Sequence, residues 1–496
     1  MKKSSPLTAS HVNTGTSNSG SLSSSSAPGR LFRAPKLQVS VESNDLTATA
    51  GLALATRLSS MLRLAQGIDA HVHVLKQHRP FHESDHVLTH TFNLFLGGGC
   101  IEDIADLQQS KAAHRILGTE RVPDPTTAGD FLRRFDEDSV KSLDRAIDEA
   151  QLRAWRRFYG RKKQDLGIVD IDSHVHHVYG QQKEHADFTY KGGFGFHPLA
   201  ITLDKTQEVL RLINRPGNVV SADGAAEQIE SLIPHLETRF RKILIRGDSA
   251  FARQAIFDVC DDHGHYFAMV SPAHVNLEAI ADGIPDENWT GFRADSVPKK
   301  NCTKKRMRPR RNRRSKVARA RKKRDLRLKE QCVAEVPYKP ARSKITYRLI
   351  IRAQLIEEAQ RGGGLFDVWR YRYVLTNLPK KYSCADVIRL TYKRCDQENI
   401  IEQLQNGVAA MRMPSGEFHA NSAWLVCARL AHNLKSWLGM SVLPRETIRW
   451  EWKRFRKAFI YVAARVTRHA RQVLLGISDS HRFADEFRRG ICDLQT

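Results

Sequence analysis

No apolar run in this chain comes near the ~18 residues that a membrane-crossing helix needs. The opening Met-Lys-Lys leads into Ser, Thr, Asn and Gly instead of an apolar stretch, so it does not read as a secretory leader. Cysteine is sparse and scattered: eight residues, at 100, 260, 302, 332, 384, 395, 427 and 492, with no C-x-x-C pair. That argues against a zinc ribbon and suits reduced thiols in a cytoplasmic protein. Gly362, Gly363 and Gly364 make a flexible turn and not a phosphate loop, because no Gly-Lys-Ser/Thr follows. Acid is in short supply as well: 54 Asp and Glu face 79 Lys and Arg, giving a net charge of +25 and a pI near 9.9. Such an excess implies a polyanionic partner, either nucleic acid or an acidic membrane surface.

What is present divides the 496 residues into segments of different character. Residues 1–35, rich in Ser, Thr, Asn and Gly, offer little to bury and are expected to be a disordered tail. Residues 36–150 carry helical periodicity, with Leu52, Leu54, Leu58, Met61, Leu62 and Leu64 in step. They form a helical module suited either to DNA contact or to plain packing. Over 160–275 the pattern turns to strands: 166–178, 195–203 and 208–213, then a helix over 225–240 with Ile229, Leu232, Ile233 and Leu236 on one face. A strand at 243–248, a helix over 251–263 and a strand at 266–270 follow. Three strands in sequence and then strand–helix alternation describe a mixed sheet flanked by helices, an α/β fold with an RNase H-like outline.

Residues 276–382 interrupt that core. Between 299 and 324, 16 of 26 residues are Lys or Arg, among them Arg310, Arg311, Arg313 and Arg314. A run this dense suits phosphate contact, although a solvated loop would have the same composition. Alternating segments at 344–352 and 366–375 read as strands with arginines on one face. Within the second, Trp369 is either a stacking surface for an unpaired base or an ordinary cross-strand aromatic. Helices are expected from 383 onward, with 481–496 as a C-terminal tail. The cluster His174, His176 and His177 reads as a polar strand face, not a zinc site, because no partner ligands are identifiable.

Three acids carry the chemistry. Asp172 and Asp248 end short β-branched runs, and Glu398 lies on an amphipathic helix. Hard divalent cations need carboxylate oxygens converging from separate elements, with room left for phosphate and water. Asp170 shares a strand face with Asp172 and competes for the first position. Arg394, one helical turn before Glu398, could hold a phosphate or orient that carboxylate.

These motifs resemble the DDE transposases of bacterial insertion sequences, of the group whose RNase H-like core is split by a β-rich insertion. The matching pieces, in order, are Asp-Ile-Asp-Ser (170–173), Gly-Phe-His-Pro-Leu (195–199), Arg-Pro-Gly-Asn (215–218), Arg-Gly-Asp-Ser-Ala-Phe (246–251) and Glu-Asn-Ile-Ile-Glu (398–402). The resemblance implies catalysis and metal binding by Asp172, Asp248 and Glu398, using two Mg²⁺ ions with Mn²⁺ as a substitute. It implies cleavage at transposon ends and transfer of the freed 3′-hydroxyl into target double-stranded DNA, with the protein a homodimer on DNA. The chain departs from the pattern on the third helix: Arg394 and Glu398 fit the family spacing, but Thr391 stands at the family's Tyr position and Gln405 at its Lys position. The rival readings are a stand-alone nuclease on the same fold, or a catalytically inactive, domesticated DNA-binding protein.

Overall fold

The computed structural model describes residues 45–179, 182–292, 326–359, 365–470 and 472–495, all within one compact unit spanning 44–496. The Ser-rich tail and the four arginines at 310–314 lie outside the described residues.

After a two-residue strand β1 (Leu46–Thr47), seven helices follow: α1 (Leu52–Met61), α2 (Leu64–His71), α3 (Glu83–Leu96), α4 (Ile104–Gln109), α5 (Lys111–Leu117), α6 (Pro125–Leu132) and α7 (Glu137–Tyr159). The longest, α7, starts at a capping box in which Asp136 accepts from the Ser139 N–H and Ser139 accepts from the Asp136 N–H. Its buried Leu143, Ala146, Ile147, Ala150 and Ala154 recur at helical spacing. That stripe packs on a later helix, and the two share a polar seam. Arg429 of the later helix bonds to Asp148 at 2.6 Å and to Asp144. Buried Glu208 accepts indole N–H bonds from both Trp155 and Trp437. The front helices therefore share one continuous hydrophobic core with the sheet and the C-terminal helices.

The sheet is nine-stranded. In chain order its strands are β2 (Gln164–Ser173), β6 (Leu199–Leu203), β7 (Glu208–Ile213), β8 (Phe240–Gly247), β9 (Tyr266–Ser271), β10 (Thr290–Gly291), β11 (Leu326–Tyr338), β12 (Tyr347–Ala359) and β13 (Leu365–Thr376); in space the order is β10-β11-β12-β13-β9-β8-β2-β6-β7. The first three strands by chain order are antiparallel neighbours, whereas β8 lies parallel to β2 and β9 parallel to β8. Helices α8 (Ala225–Glu237) and α9 (Gln254–Asp262) make the crossovers, and α10 (Val275–Asp282) follows β9. This is the mixed sheet flanked by helices that the strand–helix order implies.

The region expected as one strand at 195–203 is broken. Phe194–Phe196 forms β5 of a small separate sheet with β3 (His176–His177) and β4 (Asp187–Phe188), and β6 begins only at Leu199. Pro198, between them, has no N–H to give a ladder. Strand β11 was not expected, because its charged residues continue the basic run and dilute the alternation. A second difference is the hairpin β14 (Ala464–His469) and β15 (Gln472–Ile477), which interrupts a tail read as wholly helical. The helices of that region are α11 (Cys384–Tyr392), α12 (Cys395–Glu402), α13 (Phe418–Ser441), α14 (Trp452–Phe455) and α15 (Ala484–Asp493).

Candidate active site

Strands β2 and β8 run side by side in parallel, so their carboxyl ends open on the same sheet edge. Ligands of open α/β sheets gather at that edge. Asp172 is the penultimate residue of β2, and Asp248 follows directly on β8. Gly247 permits the tight exit: a side chain there would meet Met269 Sδ and Phe251 Cβ at 2.9 Å. Asp248 then caps a short 3₁₀ turn, its Oδ1 accepting the Ala250 N–H at 2.9 Å. Asp172 is held from two sides. Its Oδ1 accepts the Ser173 N–H at 2.8 Å, and its Oδ2 accepts from the Arg394 guanidinium at 3.1 Å. The side chain is 17% exposed. Burial pushes the Asp172 carboxyl above its ordinary value, and the charge of Asp248 pushes it the same way. Arg394 and the Ser173 N–H offset this only in part. A carboxylate kept above its ordinary value by burial and by a second carboxylate is primed to accept a cation.

Asp170 is differently employed. It lies 1% exposed and forms a fork with Arg246, Nε to Oδ1 and Nη2 to Oδ2, both at 2.6 Å. Arg246 also reaches Asp204 at 3.2 Å and donates to the Leu390 carbonyl at 2.7 Å. Burial pulls this guanidinium down, yet the hydrogen bonds and charges of Asp170 and Asp204 hold it above its ordinary value. The fork ties β2, β8 and α11 together, which leaves Asp172 as the more accessible of the two carboxylates.

The third acid stands apart. Helix α12 docks through buried Gln397, which donates to the Ala200 carbonyl at 3.2 Å, and Ala200 is the β6 partner of Asp172. Arg394, at the start of that helix, faces Asp172, and Glu398 lies one turn on from Arg394, on the same flank. Glu398 itself is exposed. Among the described residues no three His, Cys, Asp or Glu side chains lie close enough together to hold a metal ion. The structure thus brings Asp172 and Asp248 together with Arg394, and leaves Glu398 outside the cluster. Gln405, at the family's Lys position, is exposed in the π turn Gln403–Gly407 that extends α12.

The support beneath Asp172 has no local signature that marks its role in the sequence. His197, fully buried, bonds through Nδ1 to the Val219 carbonyl at 3.0 Å, so that nitrogen carries the proton. Its Nε2 is then left to accept the Ser173 hydroxyl at 2.9 Å. Arg215 closes the arrangement by donating to the His197 carbonyl at 2.9 Å. The only sequence signal was the presence of Gly-Phe-His-Pro-Leu and Arg-Pro-Gly-Asn among the quoted motifs.

The insertion projects over the same edge. Gly247 pairs with Met269, Met269 with Leu375, and Ser271 at the end of β9 with Tyr373. Residues before Tyr373 on β13 therefore run past the end of β9, on the side where Asp172 and Asp248 lie. Trp369, 43% exposed, is four residues out, roughly 13 Å further along at the usual strand rise. Two of the strand arginines are engaged internally: Arg348 forks onto Glu335 at 2.7 and 2.9 Å, and Arg352 lies over the rings of Phe292 and Tyr392.

No curated protein matches the chain. A solved structure similar to it is the cryo-EM piggyBac transposase synaptic complex with hairpin DNA, at 8% identity over 80% of each chain with a TM-score of 0.32. The family model of the transposase DDE domain, group 1, matches residues 30–496. The chain belongs to that family, the group 1 DDE transposases, enzymes of DNA cleavage and strand transfer that depend on a divalent metal ion.

Proposed function

We propose that Asp172, Asp248 and Glu398 are the metal-binding and catalytic carboxylates, and that the chain cuts double-stranded DNA at the ends of an insertion sequence and joins the freed 3′-hydroxyl to target DNA. The observation that carries this reading is the placement of Asp172 and Asp248 at adjacent parallel strand ends, with Asp172 held above its ordinary value. Both offer hard oxygen donors suited to Mg²⁺, and Mn²⁺ is an acceptable substitute. Arg394 now supplies the positive charge opposite Asp172. Bound there, a pair of such ions would activate the attacking water or hydroxyl and stabilise the leaving oxygen. Glu398, on the flank of α12 that carries Arg394, would complete the set as the third carboxylate.

The chain's own residues do the rest. The Ser173 and Ala250 N–H groups aim the two aspartates, and Gln397 anchors the helix of the third acid to the sheet. Arg394, freed from Asp172, holds a phosphate oxygen through its fork. The strand order, three antiparallel strands followed by two parallel crossovers, supports an RNase H-like core in two parts, 160–275 and 383–480. The helices within 36–150, the projecting ribbon with Trp369 and the basic run with Arg310, Arg311, Arg313 and Arg314 supply DNA contacts. A homodimer on DNA and a cytoplasmic setting belong to the same reading. No described helix is long and apolar enough to cross a membrane.

The test is incubation of the protein and Mg²⁺ with DNA carrying the element's terminal inverted repeats and with a target plasmid. The reading expects cut ends bearing 3′-hydroxyls and joined products. Cutting without joining would identify a stand-alone nuclease, and binding without either would identify an inactive DNA-binding protein. Glu398→Gln is expected to abolish both steps, and Glu402→Gln to preserve them.

A further inference from the structure

The small sheet β3–β5–β4 lies where β2 leaves the core, immediately after Asp172 and Ser173. Its hairpin exposes two large rings: Phe188 is 65% exposed and Tyr190 is 69% exposed, while Thr189 between them is buried at 6%. Phe188 lies on β4 and Tyr190 in the turn that follows, and both rings face solvent. Neither ring is loose. Phe188 packs edge-on against Phe194 with centroids 4.8 Å apart, and Tyr190 rests on His197 at 5.5 Å. The Lys191 ammonium sits 5.6 Å from the Tyr190 ring centre.

The hairpin is also braced from below. Thr189 and Gly193 close it by a backbone bond of 3.0 Å. Gly217 of the Arg-Pro-Gly-Asn loop approaches so closely that a side chain would meet the Asp187 and Gly195 carbonyls at 2.3 Å. Asn218 of that loop bonds to Asp187 at 2.5 Å. Exposed aromatic rings are costly in water, and these are held in place instead of being folded away.

The connection to the reaction centre is short. Tyr190 touches His197, His197 Nε2 accepts the Ser173 hydroxyl, and the Ser173 N–H holds the Asp172 carboxylate. Three successive contacts thus join the hairpin to the residue that would hold the DNA strand being cut. We propose that Phe188 and Tyr190 form a stacking platform for an unpaired base of that strand, with Lys191 drawing the adjoining phosphate. The proposal rests on the reading of the chain as a DNA-cutting enzyme. A rigid ring beside a cation, next to a strand-cutting site on a chain of net charge +25, fits a base and its phosphate. An aromatic platform accepts any base, because every base has a π face.

The experiment uses the full chain and two probes: a ten-nucleotide single strand carrying 2-aminopurine, and a blunt duplex of the same length. Wild type quenches the 2-aminopurine fluorescence on binding. Tyr190→Ala and Phe188→Ala each lose quenching and weaken single-strand binding roughly five- to 150-fold, with duplex affinity unchanged. Tyr190→Phe retains both. Quenching and affinity equal to wild type in the alanine variants would overturn the proposal, as would a parallel loss on both probes. A change of oligomeric state in those variants with quenching intact would overturn it in favour of an interface between copies. Cleavage assayed on the same wild-type preparation separates the two ideas. Stacking without cutting refutes the transposase reading alone, and cutting without stacking refutes the platform alone.

Discussion

The inner strands β2, β6 and β8 and the outer ribbon β11–β13 belong to one hydrogen-bonded sheet, yet they are held by different forces. All five residues of β6 are buried, as are Ile243 to Gly247 of β8, so the inner half is gripped by helices on both faces. The Asp170–Arg246–Asp204 fork is buried within it, its side chains no more than 7% exposed. Among the described side chains of the ribbon, Leu349, Ile350 and Ile351 at the root are 0% exposed, and the far end of the strands projects beyond β9. The inner half therefore fixes two carboxylates in place, and the outer half extends a surface. Rigidity is needed where oxygens converge on a cation, and reach is needed where a long polyanion is held.

The contrast is easiest to break in stability. Arg246→Met strands Asp170 and Asp204 without their cation, and removal of one partner of a buried pair costs about 3–5 kcal/mol. Urea denaturation should show that loss; an unchanged midpoint would mean the fork does not hold the inner strands. In the ribbon, Trp369→Ala should leave stability within about 0.5 kcal/mol, as expected of an exposed position, while weakening DNA binding.

Next in size is an effect confined to binding. Changing Arg310, Arg311, Arg313 and Arg314 to Gln should flatten the slope of log affinity against log salt by roughly 0.9 per lost phosphate contact. Stability should not change. An unaltered slope would reduce the basic run to a solvated loop and would shift DNA contact to the helices within 36–150.

The inner half was the more legible. Its buried strands are short runs rich in β-branched and other apolar residues, so Ile243 to Ile245 and Leu199 to Leu203 announced themselves, and the order of three strands and two crossovers followed. The strand-end positions of Asp172 and Asp248 were legible because each closes such a run. Asp170 and Asp172 could not be separated by periodicity, which puts both on one face; the fork to Arg246 is a contact 76 residues away along the chain. Long-range partners of this kind leave no local pattern. The ribbon was half legible: β12 and β13 alternate clearly, whereas β11 was hidden by its charges. His197 escaped because a buried histidine between Phe196 and Pro198 reads as core, and its role depends on Ser173 across the sheet.

The smallest expected effect concerns pH. The Asp172 carboxyl lies above its ordinary 3.8 in the folded chain, so the folded state takes up that proton more readily than the unfolded one. The charged form therefore costs stability at every pH above the raised value, and the cost disappears as pH falls through it to 3.8. Asp172→Asn, always neutral, should melt at a higher temperature than wild type near pH 7, with the gap closing on acidification. A lower melting temperature for the variant at neutral pH would contradict that sign.

The same variant tests the central claim most directly. Strand cleavage in Mg²⁺ is measured for wild type and Asp172→Asn on the same end DNA, with binding followed in parallel. The account predicts that the variant binds DNA as wild type does, through its Lys and Arg contacts, and cuts no faster than background. Cleavage by Asp172→Asn at the wild-type rate would show that the carboxylate at the end of β2 is not part of the reaction centre.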